Sequence, residues 1–387
     1  GKPIRQSRNE LAAMQGRIGF FLEHTAAATA DEIVHQGAGP PMLEERIRYE
    51  PLGIVANISA WNYPWFVGSN VYLPALLTGN AVLYKPSEHA TLSGLAVAEL
   101  LHEAGVPQDI FQPVVGAGDT GRALLEQDID LVCFTGSYST GRRIAEAAAP
   151  RLLRVQLELG GKDPAYVCDD VEPAAAAAAL VEGAFYNTGQ SCCAVERIYV
   201  LRAIAKPFIE AFVEGARALV LGDPTDERTD VGPLARRPQL EVLEAQVADA
   251  VAKGAKLELG GRRCGGRGYY FEPTVLTRAD HRMALMREES FGPIIGIQEV
   301  ADDREATALM NETEYGLTAA VYTADRSRAE RILAEVNAGS AYWNCCDRVS
   351  PRLPWSGRKH SGLGTTLSVA GIRTFMQPKA WHLRCPV

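Results

Sequence analysis

Four short segments of this 387-residue chain hold side chains able to do chemistry. SAWNYPW at 59–65 holds Asn62, an amide donor. QLELGGKDP at 156–164 holds Glu158, a carboxyl group closing an apolar run. FYNTGQSCCAVER at 185–197 places Cys192 shortly after Gly189 and Gln190. REESFGP at 287–293 adds Glu289 and Phe291. A thiolate is a nucleophile, a carboxylate takes protons, and an amide donates hydrogen bonds. Singly, each has an ordinary reading. A lone Cys is most often buried and inert, and a Glu at a strand end is a solvated charge. An Asn before Tyr63-Pro64 is a turn residue, and Gly160 and Gly161 end a strand.

The cysteines narrow this. There are eight, at 133, 168, 192, 193, 264, 345, 346 and 385. None forms a CxxC pair, so a structural zinc site is not expected, and no metal is assigned. The two adjacent pairs are poor geometry for ordinary disulfides, which points to free thiols in a reducing compartment, taken as the cytoplasm. In such a chain one special cysteine is a candidate nucleophile. Cys193 beside Cys192 also invites reversible oxidation between them. The net charge of −8 argues against nucleic acid or an anionic membrane as partner. No apolar run approaches the ~20 residues that cross a bilayer.

Taken together, the four segments resemble the aldehyde dehydrogenase superfamily from about Tyr49 to Gly362. ELGGK stands at 158–162, FxxxGQxC as Phe185, Gly189, Gln190 and Cys192, and EExFGP at 288–293, in the family's order. The resemblance implies an α/β fold with a Rossmann-type cofactor domain, an α/β catalytic domain and a small oligomerisation β-extension. It makes Cys192 the nucleophile in preference to Cys193, Glu158 the general base, and Asn62 an oxyanion donor beside the Cys192 amide. The chemistry needs such groups. Thiolate attack turns an aldehyde into a thiohemiacetal alkoxide that expels hydride. Fixed donors hold the oxyanion, hydride passes to nicotinamide, and activated water hydrolyses the thioester. Relatives that acylate coenzyme A lack a base at the position of Glu158, so the hydrolytic, non-acylating type is expected.

For the cofactor, GAGDTG at 116–121 is a literal GxGxxG that includes Gly118, but alone it is weak. By resemblance FTGSYSTG at 134–141 is more telling. Gly136 and Ser137 open a helix whose N-terminus suits a pyrophosphate, with Gly141 behind; the ordinary reading of Ser137 is a helix cap. In KPSE, Lys85 and Glu88 would hold the adenosine ribose. Glu88 would repel a 2′-phosphate, favouring NAD over NADP. Ser59, Ala60, Trp61 and Leu159 complete the expected site, with Glu289 on the nicotinamide ribose and Phe291 near the ring. Expected substrate-lining positions are Tyr63, Val67, Asn70, Ser191, Cys193, Val349 and Trp355, with Cys346 and Asp347 nearby. Asn70 and Val349 stand where many members carry aromatic rings, so an aromatic cage for a cationic aldehyde is not expected. Arg348 offers a partner for a substrate carboxylate, but the favoured reading pairs it with Asp347 in a surface loop.

These residues must be positioned by regular elements. A helix reads at 10–34, then an extended excursion or hairpin over 37–52. Strands at 53–58, 81–84, 111–115, 130–134 and 155–159 alternate with helices at 65–78, 91–104, 117–127 and 139–149. That is a parallel doubly wound sheet, which binds ligands at its carboxyl edge. A second alternation has strands at 195–201, 256–260, 294–299, 319–323 and 340–344. Its helices read at 172–187, 204–219, 236–253, 303–311 and 326–336. The expected domains are therefore 1–34 with 50–159 for NAD, 160–358 for catalysis, and 35–49 with 372–387 as the extension, giving a homodimer or homotetramer. The chain opens at Gly1 in a helical pattern with no strand before it, so further sequence is expected upstream. Near the end, the family's GxKxSGxGRE reads GRKHSGLGTT at 357–366. Thr365 and Thr366 replace Arg-Glu, a departure expected to affect subunit contacts rather than chemistry.

Overall fold

The computed structural model describes residues 1–37 and 43–384. Its contacts divide the chain into two compact units. One comprises Gly1–Asn9, Leu159–Arg348 and Ser356–Gly362; the other comprises Glu10–Glu158, Val349–Trp355 and Leu363–Val387. Residues 1–9 and 349–355 therefore group differently from the expected 1–34 and 160–358 divisions. Hydrogen bonding explains the first difference. The Ile4 amide donates to Pro224 O at 2.7 Å and the Gln6 side chain reaches Asn187 and Asp230.

The unit that holds Glu158 is built on a parallel sheet with order Phe111–Pro113, Ala81–Lys85, Ile54–Ile58, Leu131–Thr135, Arg154–Glu158. A two-residue strand ending at Leu363 lies beyond the last of these. Runs such as LVCFT are buried on both faces, which is why they read as near-continuous apolar segments rather than alternating ones. Val55, Tyr72, Tyr84, Phe111, Leu131 and Phe375 form its core. Each of these fully buried large side chains contributes roughly 1.5–3 kcal/mol. The expected helices are present as Phe66–Leu77, Thr91–Glu103, Gly118–Leu125 and Tyr138–Ala148.

A separate three-stranded antiparallel sheet joins Glu32–Gln36, Leu43–Pro51 and Met376–Arg384. This is the expected excursion and tail. The first helix runs Ile4–Ala28, earlier at both ends than the 10–34 pattern. Asp31, three residues beyond its end, is tied to Arg48.

The unit that holds Cys192 carries a seven-stranded sheet. Its order is Lys256–Leu259, Thr274–Thr277, Ile294–Val300, Val195–Leu201, Asp163–Val167, Thr318–Tyr322, Ser340–Trp343, parallel except at the first pair. Two of these strands, Asp163–Val167 and Thr274–Thr277, were not among the expected elements. Both are short and wholly buried, so neither shows alternation. Helices pack on both faces. Asp302 and Asp325 cap Asp303–Asn311 and Arg326–Glu335 by accepting amides at 2.8 Å.

Candidate active site

The residues expected to do chemistry fall into two sets, one in each unit. In the first, the helix Pro173–Phe185 ends and three successive residues turn left-handed: Asn187 (φ 52°), Thr188 (φ 60°) and Gly189 (φ 68°). Such backbone costs of order 1–3 kcal/mol at each non-glycine and persists only when tied down. The ties are dense. Asn187 N donates to Gln6 Oε1 at 2.8 Å, and Thr188 Oγ1 exchanges bonds with Gly232 at 3.1 and 3.2 Å. Gln190 Oε1 accepts the Ala235 amide at 3.0 Å. A Cβ on Gly189 would lie 2.3 Å from Gly292 O, and one on Gly161 only 2.5 Å from Cys192 O. The glycines of GQxC and ELGGK are thus spacers that let the Cys192 loop sit against its neighbours.

Cys192 is half-buried, flanked by buried Ser191 and Cys193. The two thiols differ in environment. Cys193 Sγ donates to Asp347 Oδ1 at 2.9 Å, and Ser191 Oγ donates to the same oxygen at 3.4 Å. Its contact with Cys192, burial and Asp347 together push the Cys193 thiol well above the ordinary range. Cys193 is thereby kept neutral, a poor nucleophile. Asp347 was expected to be a surface partner of Arg348. Instead its carboxylate faces the nucleophile loop, with φ 48° turning it there, and makes no ion pair to Arg348 among the described residues. Nor does any described residue accept the Cys192 amide.

Beneath this loop lies a buried ion pair. Lys162 Nζ sits 2.6 Å from Glu196 Oε2, which also accepts Ser290 N at 2.8 Å, while Glu196 Oε1 accepts Phe291 N at 2.9 Å. ELGGK and EESFGP are joined through Glu196, which carries no motif signal of its own in the sequence. Glu289 accepts the Gly161 amide at 3.1 Å, and burial with repulsion from Glu196 raises its pKa to about 8. Phe291 stands at φ 48°. Leu159 is buried, its amide bonded to Ser361 O at 3.0 Å.

In the other unit, Glu158 ends the sheet's last long strand and is 6 % exposed. Its Oε1 accepts Gln156 Nε2 at 2.8 Å and Thr366 Oγ1 at 3.1 Å. Its Oε2 accepts no hydrogen bond among the described residues. Burial raises the pKa to about 8, while the bonds from Thr366 and Gln156 and the neighbouring Trp355 indole work the other way. Thr366, expected to affect subunit contacts, bonds to the Glu158 carboxyl group. Trp355, expected on the substrate side, is buried and backbone-paired with Thr366 at 2.8 and 2.9 Å. Gln156 was legible, being two residues from Glu158 on the same strand face. Thr366 carried no local signal at 208 positions' separation.

Asn62 is buried at the end of strand Ile54–Ile58. Its segment is pinned at both ends. Ser59 N donates to Lys85 O at 3.0 Å, and Glu10 Oε1 accepts Trp65 N and Phe66 N at 2.8 and 3.0 Å. Ala60 and Tyr63 lie within this segment, and Trp61 meets His89 edge-on. Val67 N bonds back to Tyr63 O at 2.9 Å. Asn70 Oδ1 accepts from buried Arg17, whose guanidinium lies 3.5 Å over the Phe66 ring. Val349 is half-buried.

The positions expected to hold the cofactor lie at strand ends and helix starts of this unit. Ser137 is the N-cap of Tyr138–Ala148, but its hydroxyl bonds to Ser139 and Thr140 hydroxyls rather than to backbone amides. No side chain caps the first helical amides, and the Thr140 and Gly141 amides bond to Ser137 O at 3.1 and 3.0 Å. A Cβ on Gly136 would strike the Phe134 ring at 2.5 Å. Gly141 is buried, and Gly118 opens Gly118–Leu125, also without a side-chain cap. Lys85 is buried with its ammonium 3.8 Å from the exposed Glu88 carboxylate.

Residues 1–381 match the model of the aldehyde dehydrogenase family. The chain belongs to the aldehyde dehydrogenase family. It is an aldehyde-oxidising oxidoreductase that uses NAD(P). Among similar proteins, the betaine aldehyde dehydrogenase of Brucella anthropi is 40% identical over 341 residues, covering 87% of this chain and 70% of that one. The betaine aldehyde dehydrogenase of Rhizobium leguminosarum is 39% identical over 337 residues, 86% and 69% of the two chains. Lactaldehyde dehydrogenase from Escherichia coli superposes with a TM-score of 0.95 at 32% identity, over 99% of this chain and 80% of that one. An NADP-dependent enzyme of E. coli gives 0.96 at 31%, over 100% and 80%. Betaine aldehyde dehydrogenase from Staphylococcus aureus, in complex with NAD+, gives 0.94 at 31%, over 99% and 79%. Among the described residues, no helix of this aldehyde dehydrogenase is long and apolar enough to cross a membrane.

Proposed function

We propose that this enzyme oxidises an aldehyde to its carboxylic acid with NAD, hydrolysing rather than transferring the acyl group. Cys192 attacks the aldehyde carbon as a thiolate, and the carbonyl oxygen becomes an alkoxide. The side-chain amide of Asn62 and the Cys192 backbone N–H stabilise that oxyanion. Bound nicotinamide supplies the hydride acceptor. Loss of hydride leaves a thioester on Cys192. Glu158 then takes a proton from water as the water's oxygen adds to the thioester carbon. The C–S bond breaks, releasing the acid and returning the thiolate.

The observation that carries the hydrolytic reading is Glu158: a buried carboxyl group, poised near pH 8, with one oxygen held and the other unpartnered. A general base works best with a pKa near the operating pH. Ser59, Ala60, Trp61, Lys85, Glu88, Gly136, Ser137 and Gly141 would hold the cofactor, with Gly118 nearby. Leu159, Glu289 and Phe291 would serve the nicotinamide end. The negative charge of Glu88 favours NAD over NADP, although relatives of both kinds exist. Tyr63, Val67, Asn70, Ser191, Cys193, Val349 and Trp355 would surround the substrate. Asn70 is an amide held by Arg17, so the substrate is one that needs no full aromatic cage. The edge strand Glu32–Gln36 exposes Ile33 and Val34, so the three-stranded sheet is the expected seam of a dimer or tetramer. The free thiols suit the reducing cytoplasm.

An aldehyde panel run with NAD and NADP in parallel, with and without coenzyme A, tests this. The expected result is NADH formation without coenzyme A, with NAD preferred, and none in Cys192→Ala. Strict dependence on coenzyme A overturns the hydrolytic reading.

A further inference from the structure

The segment returning Thr366 to Glu158 is built more firmly than a passing contact requires. Thr366 is fully buried and its backbone is paired in both directions with Trp355. A Cβ on Gly371 would lie 2.5 Å from the Thr366 carbonyl carbon, so the helix Ser368–Arg373 presses on it directly. Gly364, at φ 84°, passes close over Gln156, the other donor to Glu158. The family pattern would place an acid at 366, which would set a like charge against Glu158. This chain has a hydroxyl donor there instead.

We propose that Thr366 is a positioning residue for hydrolysis. Its hydroxyl, with the Gln156 amide, anchors Glu158 Oε1 and so leaves Oε2 as the one oxygen that takes the proton from water. This rests on the base role proposed for Glu158. Two lone-pair partners on one oxygen and none on the other fix the carboxyl plane and select which oxygen is reactive. They also favour the ionised form against the burial that opposes it. The influences on Glu158 are burial, the two hydrogen bonds on Oε1 from Gln156 and Thr366, and the neighbouring Trp355 indole; no charged side chain figures among them. On the adjacent strand the Cys133 thiol is itself held neutral by burial. The hydrogen bonds are therefore the principal means this unit has of tuning the base.

The test compares Thr366→Val, which keeps the shape without the donor, with Thr366→Ser, which restores the donor. In Thr366→Val the pH midpoint of steady-state turnover moves alkaline by about one unit, a roughly tenfold smaller ionised fraction at neutral pH. The pre-steady-state NADH burst, which precedes hydrolysis, keeps its rate and amplitude. Thr366→Ser returns the midpoint toward wild type. A wild-type pH profile in Thr366→Val overturns the proposal. So does equal loss of burst and turnover, which would mark a general structural role. Glu158→Gln separates this from failure of the underlying reading. If that variant keeps full turnover, Glu158 is not the base at all. If it keeps only the burst while Thr366→Val behaves as wild type, only the role of Thr366 falls.

Discussion

Two buried carboxyl groups, one in each unit, are handled in opposite ways. Glu196 is saturated: both oxygens accept backbone amides and one also meets the Lys162 ammonium at 2.6 Å. Glu158 is left incomplete, with two neutral donors on one oxygen and no hydrogen bond on the other among the described residues. Burying a charge costs heavily unless it is paired; Glu196 is paired, whereas burial drives Glu158 toward its neutral form. The contrast separates architecture from chemistry. A saturated carboxylate binds two segments together, whereas a half-satisfied one has a lone pair to use.

The comparison is sharpened most by removing each acid. Glu158→Gln is expected to lower steady-state turnover by roughly 10²–10⁴ while keeping the NADH burst. Its thermal midpoint stays the same or rises, since a strained carboxyl group is replaced by a neutral amide. Glu196→Gln is expected to destabilise the fold by about 3–5 kcal/mol, read by chemical denaturation, because Lys162 loses its buried partner. A Glu158 variant that loses stability but not turnover would break the contrast outright.

A smaller effect is the pH dependence. Hydrolysis needs Glu158 ionised, and its pKa stands near 8, above the ordinary carboxyl value. Turnover limited by hydrolysis should therefore rise with pH through about 8 and lose that step in Glu158→Gln. Smallest is Cys193→Ala. Cys193 is neutral and donates to Asp347, so its removal is expected to change the burst rate by no more than about twofold. A larger loss would mean that the Cys193–Asp347 bond shapes the Cys192 loop.

Much of this was legible in the sequence. The parallel strands announce themselves as apolar runs between helices, and the motifs around Cys192 and Glu158 are local. What was not legible is non-local or hidden by burial. Asp163–Val167 begins with Asp and Pro directly after ELGGK, so it reads as loop, yet it is an interior strand of its sheet. The left-handed Asn187 and Thr188 have no signature, because neighbours from residues 6 and 232 impose that backbone. Asp347 reads as half of an exposed pair with Arg348 until the chain turns it toward Cys193. Thr366 reads as a lost family residue, and its contact with Glu158 emerges only when the chain returns to the sheet's edge.

The central claim is that Cys192 carries the acyl group and Glu158 frees it. Mass spectrometry of Glu158→Gln after mixing with aldehyde and NAD tests this most directly. The account predicts a trapped acyl adduct on the peptide containing Cys192, located on Cys192 and absent in the Cys192→Ala, Glu158→Gln double variant. An adduct on Cys193, or rapid turnover with no adduct on either thiol, would contradict it.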